Sequence, residues 1–153
     1  MAVARRSLSS LVLALSLSVT QPLVADTLHS GSVESPAYIA QLQAHTAAEL
    51  GQILNRLDLL LNSEQAYPSS QPLALVLHGD EVRAFLRSNY QSNRDLVDLA
   101  ARLDAFNAVD IQVCETWLRN AQIQRSELPA FVETVPYGPD QEKALLEQGY
   151  EYF

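Results

Sequence analysis

From Thr46 onward the chain alternates two kinds of hydrophobic pattern, and each predicts a different element. Leu50, Ile53, Leu54, Leu57, Leu60 and Leu61 recur at helical spacing and form one apolar face. Thr46 and Glu49 precede that face with the spacing of a capping box, so the helix is predicted to begin there. Leu73-Ala74-Leu75-Val76-Leu77 is an unbroken apolar run stopped by His78-Gly79, the pattern of a strand buried on both faces. Val109 to Val113 is read as a further strand. Between these runs, Asp80 to Asn89 is predicted as a short helix. Asn93 to Phe106 is predicted as another, with Leu96, Val97, Leu99, Ala100 and Leu103 inward. Beyond Val113 the pattern predicts a helix from about Thr116 to Ala121 and one helical turn within Ser126 to Phe131. A strand at Val132 to Val135, a helix at Asp140 to Gln148 and a closing strand at Tyr150 to Phe153 follow. Tyr38 to Gln43 alternates weakly and reads as a first strand, with a helix starting at Ser35-Pro36 as the competing reading.

Strands that alternate with helices imply right-handed βαβ units, hence an α/β domain with a mostly parallel sheet covered on both faces. Ligands gather at the carboxyl ends of such strands. The pattern places His45-Thr46, His78-Gly79, Cys114-Glu115 and Tyr137-Gly138 at those ends, so four distant segments are expected to converge on one edge.

Composition narrows the possibilities. The 153 residues suffice for one domain with a real core, and 48% hydrophobic against 18% charged residues is a globular balance. Arg5 and Arg6, followed by an apolar, serine-broken stretch from Leu8 to Val19 and by Pro22-Leu23-Val24-Ala25, read as a secretory signal over residues 1–25. The stretch is short for a membrane span, with an uncleaved anchor as the alternative. Residues 26–36 then form a polar lead-in, and 37–153 the domain. Without Arg5 and Arg6 the chain holds 18 acidic against 8 basic residues, a net charge of −10. Such a field repels nucleic acid and anionic lipid, so neither is expected as a partner. The expected location is the periplasm.

Cys114 is the only cysteine, which excludes an intramolecular disulfide. At a strand-to-helix junction its thiolate can face free backbone N–H groups, and a thiolate can carry sulfur as a persulfide. A buried, inert thiol acting as a small hydrophobe is the bland alternative. His78 could orient a substrate, serve as a base or merely cap the next element, while Gly79 reports a tight turn. Arg119 suits an anionic sulfur group, although a solvated arginine is commoner, and Trp117 lines either a pocket or ordinary packing. A metal site built from His45, His78 and Cys114 matches no familiar spacing, and no metal or other cofactor is expected. No phosphate-binding glycine loop or Ser-His-Asp ordering is present.

Four segments resemble, in order, the DsrE/DsrF-like proteins. They are Leu75 to Val82, Leu99 to Phe106 with Val113 to Arg119, Val135-Pro136-Tyr137-Gly138, and Leu145 to Phe153 with its Gln148-Gly149-Tyr150. The resemblance implies a three-layer α/β/α fold with a five-stranded sheet, usually assembled as homo- or hetero-oligomers. Sulfur-transfer members use a persulfide-forming cysteine at the position Cys114 matches. That makes Cys114 the expected sulfur-bearing residue, with His78, Gly79, Arg119, Tyr137 and Gly138 around the substrate. A carrier exchanging sulfur with donor and acceptor proteins is the expected function, rather than a high-turnover enzyme. A non-catalytic binding or assembly module with a structural Cys114 is the other reading. Two features depart from the sulfur-relay members: Gln122 stands where they typically have glycine, and they are cytoplasmic.

Overall fold

Apolar runs place β2 (Leu73–Leu77) and β3 (Val109–Cys114) at the heart of the sheet, where every β2 side chain is buried. The structure is a computed structural model, and it describes residues 36–63, 67 and 69–153. The expected signal segment, and the lead-in as far as Ser35, lie outside the described residues. β1 (Tyr38–Ala40), β4 (Glu133–Val135) and β5 (Glu151–Tyr152) complete a five-stranded sheet of order β4-β3-β2-β1-β5. Every pairing is parallel, with Leu73 opposite Val109 and Leu77 opposite Val113. No helix among the described residues is long and apolar enough to cross a membrane.

The pleat divides the core. Leu73, Leu75 and Leu77 join Val109, Ile111 and Val113 on the face covered by α1 (Ala47–Leu61) and α2 (Arg94–Ala105). Ile39, Ala74 and Val76 face the other way and meet Leu145 of α4 (Gly138–Glu147). Leu50, Leu54 and Leu57 are fully buried, and each such side chain contributes about 1.5–3 kcal/mol. Val97, Ala100 and Leu103 play that part on α2. Leu61, predicted to lie on the inward face of α1, is instead 41% exposed, because it sits in the last turn where the helix leaves the sheet. Arg102 on α2 makes two bonds of 3.0 Å to Asp58, tying the two helices together and holding the Asp58 carboxyl below its usual range.

The segment predicted as one helix over Asp80 to Asn89 is two tight 3-10 stretches, Asp80–Phe85 and Arg87–Ser92, parted at Leu86 where ψ is 134°. Glu81, Val82, Ala84, Phe85 and Leu86 all point inward, more than one stripe of an α-helix can bury. The helical turn expected at Ser126 to Phe131 is a 3-10 turn at Arg125–Glu127. The short helix α3 (Glu115–Asn120) follows β3 with no intervening loop, so the end of the strand is also the helix cap.

Candidate functional site

Each strand hands over to its helix at the carboxyl edge, and Glu81 organises the handover after β2. Its Oε1 accepts the backbone N–H groups of His78 and Gly79, both at 2.9 Å, and the side chain is fully buried. Its Oε2 lies 3.4 Å from Nδ1 of His45, and neither atom has a hydrogen-bond partner. His45 itself adopts a left-handed backbone with φ of 50°, uncommon outside glycine and typical of constrained positions. Its ring lies 4.6 Å from that of His78, at 50°. Gly79 makes this approach possible: a Cβ there would stand 2.5 Å from the His45 Cβ. The Gly79 backbone is extended, so space rather than dihedral freedom demands the glycine.

The loop carrying His45 is held by the other half of the expected capping box. Thr46 caps α1 by accepting the Glu49 N–H at 3.2 Å, as predicted. The Glu49 carboxylate, however, reaches past Thr46 to the N–H groups of Gln43 and Ala44, at 2.7 and 2.9 Å. Its desolvation opposes ionisation, yet these bonds and one from His45 outweigh it and lower the carboxyl below its usual range.

Cys114 ends β3 on the α4 side of the sheet, by alternation from Val113. It is buried, 2% exposed, and its Sγ accepts the Trp117 N–H at 3.4 Å as the cap of α3. Gly138, the first residue of α4, packs where the ends of β2 and β3 meet. A Cβ on it would lie 3.1 Å from Cδ2 of His78, 3.2 Å from the His78 Cβ and 3.3 Å from the Cys114 Cβ. The imidazole of His78 points along α4, its Nε2 3.3 Å from Glu142.

The structure places His78, Cys114 and Gly138 together at the carboxyl edge, with Gly79 next to His78 in the chain and packed against His45 and Glu81. Tyr137 sits beside them with 47% of its surface exposed. Arg119 is directed elsewhere: it donates to Thr116 Oγ1 at 2.8 Å and lies 3.9 Å from Glu115, while Thr116 donates to the Pro136 carbonyl. Trp117 packs against the core and receives Arg83 over its ring at 5.5 Å. Sequence reasoning did not single out Glu81 or Glu142 as site residues; it placed His45 at the converging strand edge and weighed its chemistry only as a metal ligand. Among the described residues, no group of three or more His, Cys, Asp or Glu side chains is arranged to hold a metal ion. The reason is local: His45 turns to Glu81, His78 to Glu142, and Sγ to a backbone N–H.

Gln122 holds a backbone conformation that glycine adopts at lower cost. It follows the C-cap of α3 with φ of 58°, donating to Arg119 O while Ile123 donates to Leu118 O. At the corresponding end of α4 stands Gly149, with φ of 94°. Gln122→Gly is expected to raise unfolding stability by about 1 kcal/mol, read from thermal melts of the two proteins. An unchanged or lower melting temperature would contradict this account.

Similarity to known proteins agrees with the architecture. No curated protein sequence matches this chain. Among solved structures, a protein of unknown function from Methanobacterium thermoautotrophicum superposes with a TM-score of 0.52 at 15% identity. The match covers 76% of this chain and 93% of that one, and it speaks to the fold alone. The sequence profile of the DsrE/DsrF-like family matches residues 24–153, which takes in all five strands and the cysteine edge. With a five-stranded all-parallel sheet, a strand-ending cysteine and the Gly138 crossing in place, the chain belongs to the DsrE/DsrF-like family.

Proposed function

We propose that this protein is an exported sulfur carrier, in which Cys114 accepts a sulfane sulfur as a persulfide and surrenders it to an acceptor. The observation behind this reading is the place of Cys114, at the carboxyl edge between His78 and the start of α4. Family membership supports it, since sulfur relay recurs among DsrE-like proteins. His78 and Gly138 border the thiol and Tyr137 is exposed beside them, while Arg119, exposed and bonded to Thr116 beside Glu115, would have to leave those partners to meet a donor. Donor and acceptor are proteins bearing thiols or persulfides, and the carrier itself works as a homo-oligomer.

In the loading step a donor persulfide R–S–SH meets the Cys114 thiolate. A bond forms between Sγ and the outer donor sulfur, the donor S–S bond breaks, and R–S⁻ leaves to take up the proton lost by Cys114. No external oxidant or reductant is consumed.

Incubation of the folded chain with polysulfide is expected to add one sulfur atom to Cys114, seen by mass spectrometry and absent in Cys114→Ser. Because the thiol is nearly closed to solvent, loading is slower than for a free thiol but reaches completion. The burial of Sγ and its bond to Trp117 favour a second reading, in which Cys114 is simply the cap of α3 in a binding or assembly module. A thiol that stays unmodified until the protein is denatured would establish that second reading.

A further inference from the structure

We propose that Pro136-Tyr137-Gly138 is a strap latched over Cys114 by the Thr116 hydroxyl, and that it must lift before the sulfur can be reached. The strap rests on the carrier reading for its purpose, but its support lies in other contacts. β4 pairs with β3 as far as Val135, opposite Cys114. Pro136 then has no N–H with which to carry the ladder further. It is exposed, and its carbonyl accepts instead from Thr116 Oγ1 at 3.0 Å, two residues beyond the cysteine. Arg119 donates to the same hydroxyl at 2.8 Å, which turns the Thr116 proton away from the guanidinium and strengthens the bond to Pro136. Tyr137 follows as an N-cap that makes no side-chain cap bond, with its surface half open to water. Gly138, at the far end of the strap, is buried against the Cys114 and His78 side chains.

Two further contacts brace the strap on either flank. Thr134 Oγ1 donates to Glu115 Oε1 at 3.1 Å, and His78 Nε2 lies 3.3 Å from Glu142 in the second turn of α4. All three attachments are made by side chains at or near the surface, where contacts open at far less cost than the core. Beneath them Cys114 is buried. The strap therefore lifts between Val135 and the first turn of α4 while the five register pairs joining β2 to β3 stay closed. Closed, it keeps a persulfide from water and oxidants; open, it admits a donor.

Thr116→Val is the deciding variant, since it removes the latch and keeps the shape of the side chain, whereas Thr116→Ser keeps the hydroxyl. The full chain is alkylated with iodoacetamide at fixed pH in a series of sub-denaturing urea concentrations, and sulfur uptake from polysulfide is followed in parallel. The wild-type rate is expected to change little with urea, because lifting the strap exposes little surface; access through global unfolding would rise steeply. Thr116→Val is expected to react about three- to tenfold faster throughout the series, the effect of one lost hydrogen bond, and Thr116→Ser at the wild-type rate. Thr134→Val, which frees one flank, is expected to accelerate in the same sense. Val97→Ala, in the core under α2, lowers the melting temperature at least as much and is expected to leave the rate unchanged. Wild-type rates in both threonine-to-valine variants, an equal gain in Val97→Ala, or a wild-type rate that climbs with urea as unfolding does, overturns the proposal. If the variants accelerate as expected while wild type takes up no sulfur, the carrier reading falls and the strap stands. Sulfur loading without acceleration in the variants removes the strap and keeps the carrier, and a thiol inert until denaturation removes both.

Discussion

Truncation of Glu81 to alanine is expected to lower the unfolding free energy by about 3 kcal/mol, the largest loss foreseen for any polar side chain in the site. Two backbone donors, the N–H groups of His78 and Gly79, lose their common acceptor at a fully buried position. Each orphaned donor costs about 1–3 kcal/mol, and the vacated volume adds a cavity term. Against this, a buried carboxylate with one unpartnered oxygen disappears, which returns part of its desolvation penalty. Urea unfolding of Glu81→Ala beside Glu81→Gln separates the terms, because glutamine can retain the acceptor. Glutamine is expected to stay within about 1 kcal/mol of wild type. Alanine as stable as wild type would mean that water replaces Glu81 in the turn.

Gly79→Ala is expected to cost about 2–4 kcal/mol and to displace His45. The effect is steric, since φ of −138° and ψ of −164° are open to any residue. The added methyl would lie 2.5 Å from the His45 Cβ, 2.7 Å from its Cγ and 2.6 Å from Oε2 of Glu81. A flexible chain end could swing clear of such contacts. The His45 Cβ cannot, because it is fixed to a backbone already in the left-handed region and tethered by Glu49. The β1–α1 loop must therefore move. Gly51→Ala is the internal comparison: its Cβ meets only Leu96 Cδ1 at 3.7 Å, within a helix where alanine is the better residue. Equal melting temperatures for the two alanine variants would refute the crowding argument.

The architecture was legible wherever burial acts through periodicity. The runs at 73–77 and 109–113 announced the central strands, and the leucines of α1 its inward face. Cys114, His78 and Gly138 could be assigned to one edge because parallel topology alone sends those strand ends there. Glu81 escaped for a physical reason. In Gly79-Asp80-Glu81 it looks like a solvated acid at a helix start, and only the approach of His45, far away in sequence, closes the space around it. The same event broke the expected helix at Asp80 to Asn89, since drawing Glu81 inward leaves a tighter winding than the α-helix. Glu49 was assigned to the right cap but to the wrong donors, because the left-handed turn at His45 brings the Gln43 and Ala44 N–H groups nearer than its own cap residue. Glu142 carried a usable signal: it lies one helical turn beyond Gly138, on the end of α4 that adjoins the cysteine.

The strand order has a consequence for birth on the ribosome. β1 is the first strand made, yet one of its edges pairs with β5, where Tyr38 meets Glu151 and Ile39 meets Tyr152. Until those late residues emerge, β1 presents a row of unsatisfied N–H and C=O groups to whatever strand is nearby. Its two register pairs make this edge the last seam to close and the first to open, while the five pairs joining β2 to β3 can form much earlier in translation. Chains truncated before Tyr150 should thus leave that edge of β1 unpaired.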